Sequence, residues 1–239
     1  MKMFYIILIL AITVIVYEVF PIYRAEKINS DMKLAVKAFE QHPNNVNLKI
    51  LVVGDSTGVG TGSNDSKKST AGRLASDLPN SDIQNISENG LKIEGLLKKI
   101  NKIDAHYDLV LIQIGANDIV GLTPYAEIRK ELMMVLDRSE NIADNIIILT
   151  SGNVGSAPVF HWPLSLFYTY RTLKVRSIYI EEVGKYKNIK YVDLYKDKKD
   201  DIFLTDINKY YAIDKFHPSA EGYGIWYEQI RPSIDKVLK

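Results

Sequence analysis

The chain predicts an α/β fold, a parallel sheet with helices on both faces, and two observations carry that expectation. Short runs dense in Ile, Leu and Val recur at 49–53, 82–86, 109–114, 146–150 and 191–194. Between them lie stretches with helical spacing of apolar residues, at about 69–78, 91–102, 124–142, 164–186 and 219–237. Strands that are apolar on both sides, each followed by a helix, are buried on both faces, as all-parallel sheets are. Five such strands fit a three-layer, flavodoxin-like α/β domain. At 239 residues, one domain of this kind plus an appendage fills the chain.

Composition narrows the chemistry. The 30 basic and 29 acidic residues are well mixed, and without a basic tract no nucleic-acid partner is expected. There is no cysteine, which excludes disulfides, cysteine zinc sites and thiol catalysis. The 4 histidines are His42, His106, His161 and His217, a short list for any general base. Apart from one Asp–His pair, no His/Asp/Glu grouping has ligand spacing, so no metal and no cofactor is expected.

Residues 1–25 read as a membrane anchor. Met3 to Tyr17 is apolar except for Thr13, and Val19 to Tyr23 extends the run past Glu18. About 21 residues at roughly 1.5 Å each reach across a bilayer core. No small-x-small pattern follows, which favours an uncleaved transmembrane helix over a signal peptide. The basic residues Arg24, Lys27, Lys33 and Lys37 follow the run, yet its very short basic start resembles a secretory signal-anchor. The expectation is an extracytoplasmic domain. Residues 26–45 read as an amphipathic stalk helix and linker. Ile28, Met32, Ala35 and Phe39 share one helical face, Asn29 or Ser30 offers a cap, and His42-Pro43-Asn44-Asn45 forms a turn before the domain of residues 46–239.

Within that domain the first strand runs into Gly54-Asp55-Ser56-Thr57-Gly58-Val59-Gly60. Three readings fit. A glycine-rich turn can cradle phosphate, but the G-x-G-x-x-G pattern and the Walker lysine are both missing. The stretch can be a plain strand-ending turn. Or Ser56 can be a nucleophile at the carboxyl end of a strand, which requires a base, an orienting acid and oxyanion donors elsewhere. The third strand ends in Gly115-Ala116-Asn117-Asp118, where Asn117 either offers a neutral N–H donor or only closes a turn. After the second strand, Gly90 lets a backbone N–H come close to a substrate. Asp214-Lys215-Phe216-His217 lies in a loop before the last helix, a spacing that lets a carboxylate hold Nδ1–H and leave Nε2 free. His161, between Phe160 and Trp162, is the competing base but has no adjacent carboxylate.

Together these residues resemble the four blocks of the SGNH, or GDSL-type, hydrolase family, in order, from about residue 48 to 235. Gly54-Asp55-Ser56 is similar to the nucleophile block, Asn85 with Gly90 to the second, Gly115-x-Asn117-Asp118 to the third and Asp214-x-x-His217 to the last. The resemblance implies Ser56 as nucleophile, His217 as base and Asp214 as its orienting acid. It also implies an oxyanion hole of the Ser56 N–H, the Gly90 N–H and the Asn117 side chain. Ser87 stands where many members carry glycine.

The stretch 151–168 follows the fourth strand and is dense in aromatic and aliphatic groups. It reads as core packing, as a membrane-contacting surface, or as an acyl pocket with Phe160, Trp162 and Phe167 touching substrate. The functional expectation is therefore a serine ester hydrolase, esterase- or lysophospholipase-like, acting on a small-molecule or lipid ester through an acyl-enzyme. An O-acyl or acetyl transferase or deacetylase acting on envelope glycans is the rival within chemistry. A non-catalytic binding domain is the rival outside it.

Overall fold

The structure, a computed structural model, describes residues 2–238, apart from the side chains at positions 2, 7 and 9–12. Its sheet has the 5 expected strands: β1 (Leu48–Gly54), β2 (Ser81–Asn85), β3 (Tyr107–Gln113), β4 (Ala143–Leu149) and β5 (Ile189–Val192). All neighbours are parallel, in the order β2-β1-β3-β4-β5. Ile50 to Val53 on β1 and Leu109 to Ile112 on β3 are fully buried, because helices cover both faces of these central strands. The helix α1 (Lys2–Ala35) opens the chain, and α2 (Ser56–Val59) follows β1. Next come α3 (Thr70–Asp77), α4 (Ile93–Ile100), α5 (Ala116–Val120) and α6 (Tyr125–Glu140). The last are α7 (Leu164–Val183), α8 (Ile207–Tyr210) and α9 (Ala220–Val237). Helix α3 packs with α9, while α6 packs with α4 and α7. Ser69 and Ser219 cap α3 and α9 by accepting the N–H of Gly72 and Gly222.

The strand order reverses direction between β1 and β3, so the loops leaving these two strands diverge and open a crevice at the carboxyl edge. The two strands also approach closely at that edge. A Cβ on Gly54 would lie 2.0 Å from the Gln113 carbonyl oxygen, so only glycine lets β1 end there.

The N-terminal segment departs from expectation. One helix, α1, runs through both the predicted anchor and the first part of the predicted stalk, and it ends at Ala35, before Phe39. Pro21 does not break it. Proline removes the N–H that would bond the carbonyl four residues earlier, that of Tyr17. His161 Nδ1 lies 3.3 Å from this oxygen and its ring stacks on Tyr17. Beyond Ala35 the chain is extended, because Gln41 exchanges backbone hydrogen bonds with Ile83 and covers the edge of β2. Among the described residues, no helix is long and apolar enough to cross a membrane. The transmembrane expectation rested on a run that partly lies outside the described side chains. From Glu18 onward, α1 carries Arg24, Glu26 and Lys27, and Ile22 and Ala25 pack on the domain core.

Replacing Gly54 with alanine forces β1 away from β3. Gly54→Ala is expected to cost at least about 2 kcal/mol, read as a lower midpoint in urea. A midpoint within about 0.3 kcal/mol of wild type would show that this edge has room to adjust.

Candidate active site

The site begins where β1 stops. The Asp55 N–H donates to the Gln113 carbonyl at 2.9 Å, which ties the turn to β3. Asp55 Oδ1 accepts from Thr57 N–H at 2.9 Å and Thr57 Oγ1 at 2.8 Å, which caps α2. Ser56 is therefore the first residue of a helix, and its N–H has no intrahelical partner. Gly60 ends α2 with φ 88°, so the glycines after Ser56 close a helical turn rather than a phosphate loop.

The loop after β2 is fastened to the same turn. Asn85 Nδ2 donates to the Gly58 carbonyl at 3.0 Å, Asn85 Oδ1 accepts from Ser87 N–H, and Glu88 N–H donates to the Gly54 carbonyl. Ser87 lies against Gly58, where an added Cβ would meet its Oγ at 2.3 Å. The loop then turns at Gly90, with φ 79°. After β3, Gly115 adopts φ 125° and starts α5, which carries Asn117. One N–H of Asn117 Nδ2 donates to the Leu91 carbonyl at 3.1 Å, leaving the other for a ligand. Asp118 is buried and accepts the Ile93 N–H, and the buried Arg171 donates to the Ile119 and Thr123 carbonyls. These bonds lock the α5 region from below.

The fourth block lies between Tyr211 and Pro218, which form a bridge, and Ala212 N–H donates to the His217 carbonyl at 2.8 Å. Within this loop Asp214 Oδ1 accepts from the N–H groups of Phe216 and His217, both at 3.0 Å. Asp214 Oδ2 accepts from His217 Nδ1 at 2.5 Å, and His217 Nε2 lies 2.9 Å from Ser56 Oγ. Two residues 161 positions apart thus share a hydrogen bond. Ser56, Gly90, Asn117, Asp214 and His217 all line one cleft of about 340 Å³. A second cavity of about 280 Å³ shares Ser56, Phe216 and His217 with the first and is also lined by Val154, Leu194, Phe203 and Trp226.

Residues 52–225 match the model of the GDSL-like lipase/acylhydrolase family. The chain belongs to that family. No curated protein matches the chain significantly. Among solved structures, this GDSL-type chain is similar to a lipolytic G-D-S-L family protein from Veillonella parvula, with TM-score 0.58 and 18% identity over 77% of this chain and 96% of that one. TesA matches with TM-score 0.59 and 18% identity, over 79% of this chain and 99% of that one. Axe2, an acetylxylan esterase from Geobacillus stearothermophilus, matches with TM-score 0.54 and 19% identity, over 78% and 94%. At these identities the likeness is one of fold.

The geometry brings the five predicted site residues of this GDSL-type domain together but separates the predicted pocket residues. Phe160 is buried and lines the cleft, whereas Trp162, 74% exposed, and Phe167, 45% exposed, line neither cavity. Within 151–168 the residues 153–157, 159 and 160 are buried, whereas Trp162, Leu166 and Phe167 face solvent. His161 is engaged with Tyr17, while His42 and His106 pair with Asp82 and Asp144 at the surface. Among the described residues no three potential ligands cluster as a metal site. Sequence reasoning missed the contribution of α1, whose Ile22, Ala25, Glu26, Asn29 and Lys33 line the cleft opposite the serine. Their spacing marks one helical face, but nothing in the sequence says what that face covers.

Two buried aspartates near the histidine have their carboxyls shifted in opposite directions. Burial raises the Asp55 carboxyl to about 6, against the bonds from Thr57 and the charge of His217, which lower it. Burial would raise Asp214 as well, but the hydrogen bond and charge of His217 and the two N–H groups outweigh it and hold the carboxyl below its usual range. For Asp55 the folded state keeps a proton that the unfolded chain releases near pH 4, so stability falls as pH rises from about 4 to 6, by up to ~3 kcal/mol. Asp214 acts in the opposite sense, contributing stability at neutral pH that is lost as acid protonates it. Asp55→Asn keeps an acceptor for Thr57 and removes the buried charge. It is expected to raise the melting temperature relative to wild type at pH 8 and to change it little at pH 4. An equal difference at both pH values would mean that a buried charge is not what Asp55 contributes.

Proposed function

We propose that this chain is a serine carboxylic-ester hydrolase that turns over through an acyl-enzyme on Ser56. One observation carries the reading: the continuous hydrogen-bonded line from Asp214 through His217 to Ser56, set in a cleft that also holds Gly90 and Asn117. As Ser56 Oγ attacks the ester carbon, its proton passes to His217 Nε2, and Asp214 stabilises the imidazolium. The carbonyl oxygen, now negative, accepts from the Ser56 and Gly90 N–H groups and the free N–H of Asn117. Collapse breaks the bond to the alcohol oxygen, which takes the proton from Nε2. Water then gives a proton to Nε2 and attacks the acyl-enzyme, and its collapse returns that proton to Ser56 Oγ and releases the acid. These steps need no metal or cofactor. An alcohol in place of water would make the same acyl-enzyme a transferase.

Ser56→Ala and His217→Ala are each expected to lower kcat on a simple ester by about 10⁴ to 10⁶, because the three side chains act as a unit. Labelling of Ser56 by a fluorophosphonate is the parallel check. Unlabelled Ser56 together with no ester turnover by the folded protein would leave a non-catalytic binding domain as the better reading, and wild-type rates in both variants would mean that Ser56 is not the nucleophile.

The second cavity supports a further assignment, that of the acyl chain. Val154, Ala157, Leu194, Phe203, Ile225 and Trp226 give it a mainly apolar lining next to the serine, with Lys196, Asp200, Asp201 and Gln229 among its polar members. Each CH₂ buried there contributes about 0.8 kcal/mol at most. The expected result is kcat/KM rising from acetyl to hexanoyl esters of one alcohol, with Val154→Phe flattening the rise. A fall along that series in both proteins would place the acyl group elsewhere and favour deacetylation.

A further inference from the structure

Helix α1 lies outside the part of the chain that matches the family, yet it forms one wall of the catalytic cleft. Midway along it, Tyr17 stacks on His161 after β4, with ring centres 4.3 Å apart. Towards its C-terminal end Met32 is buried, and past that end Val36 is buried and Gln41 pairs with β2. The helix therefore crosses the carboxyl edge from the β4 side to the β2 side, over β1 and β3, where Ser56 and Asn117 stand. Ile22, Ala25, Glu26, Asn29 and Lys33 recur every three or four residues and face the cleft over about 16 Å.

The chemistry changes along this wall. Ile22 and Ala25 are apolar, as are Val159, Phe160 and Phe216 elsewhere in the lining, whereas Glu26, Asn29 and Lys33 further along the helix are polar. Asn29 Oδ1 is buried and has no hydrogen-bond partner. An orphan acceptor of this kind is costly unless a ligand supplies a donor. Lys33 Nζ and Glu26 Oε1 are 3.8 Å apart, a loose pair in which both keep free hydrogen-bonding capacity. An anionic group would meet the Glu26 carboxylate, and a plain alkyl group would leave Asn29 unpaired. Neighbouring hydroxyls, each both donor and acceptor, satisfy all three side chains.

Resting on the ester-hydrolase reading, we propose that Glu26, Asn29 and Lys33 bind the alcohol half of the substrate and that this alcohol carries several free hydroxyls, as a glycosyl or glycerol unit does. The N-terminal helix is then a specificity element and the rest of the fold supplies the chemistry.

The test uses the full chain and three acetate esters that differ only in alcohol: ethyl acetate, a mono-acetylated methyl xyloside and monoacetylglycerol. The wild type is expected to prefer one hydroxylated ester over ethyl acetate by about tenfold or more in kcat/KM, and which one separates the two sources. Asn29→Ala and Lys33→Ala are each expected to lower kcat/KM on that ester by about tenfold, mainly through KM, with ethyl acetate changed by less than about twofold. Should Asn29→Ala fold poorly by its melting curve, Lys33→Ala and the exposed Glu26→Gln carry the same comparison. Equal losses on all three esters, no loss on any, or no preference in the wild type would overturn the subsite while leaving ester hydrolysis intact. No turnover of any ester together with no fluorophosphonate labelling at Ser56 would instead overturn the hydrolase reading and the subsite with it.

Discussion

The close approach of β1 to β3 at the carboxyl edge is the constraint on which the rest of the structure depends. Gly54 has no side chain to hold the strands apart, and the Asp55 N–H reaches the Gln113 carbonyl as though the pairing continued one residue further. That bond sets the direction in which the chain leaves the sheet, and Asp55 converts the exit into a helical turn by capping α2. Ser56 is thereby held on the same edge as Asn117, at the point where strand order reverses. The other two loops are then fastened to this one rather than placed separately. Asn85 and Glu88 bond to Gly58 and Gly54, and His217 bonds to Ser56 itself. A shift of β1 along β3 would therefore disturb every part of the site at once.

Burial acts on three carboxylates here, and their neighbours decide what burial does. Asp55 and Asp118 receive few hydrogen bonds for their depth, and both carboxyls are raised by desolvation. Asp214 is also buried but faces a histidine and two backbone N–H groups, and its carboxyl is lowered. The four-residue loop aims two backbone N–H groups at Asp214 Oδ1, and these bonds favour the ionised carboxylate that faces His217.

Helix α1 shows how a local irregularity is absorbed by a tertiary contact. Pro21 leaves the Tyr17 carbonyl without its helical donor, and the His161 ring lies against that oxygen. The histidine that competes on paper for the role of base is thus spent on holding α1 to the domain. Because α1 is held there, its Ile22, Ala25, Glu26, Asn29 and Lys33 line the cleft together with Ser56 and His217.

The sheet and the residues that meet in the candidate site were legible in the sequence because both depend on local pattern. Unbroken apolar runs such as Leu109–Ile112 specify strands covered on both faces, and Gly-Asp-Ser, Gly-x-Asn-Asp and Asp-x-x-His carry their chemistry within a few residues. The short helix under Ser56 was not legible, since it depends on Asp55 bending back onto Thr57 at the end of a strand held by Gln113. Nor were the orientations of Phe160, Trp162 and Phe167, because an irregular stretch has no period from which to read faces. The place of the N-terminal run was not legible either. Length and apolarity from Met3 to Tyr23 measure what a segment can cross, not which surface Ile22 and Ala25 meet. By itself the sequence determined the strands, the helices that follow them and the residue types of the site, all of which follow from neighbours along the chain. Only the tertiary structure decided that α1 forms a wall of the cleft, because that contact joins segments whose proximity exists only once the sheet has formed.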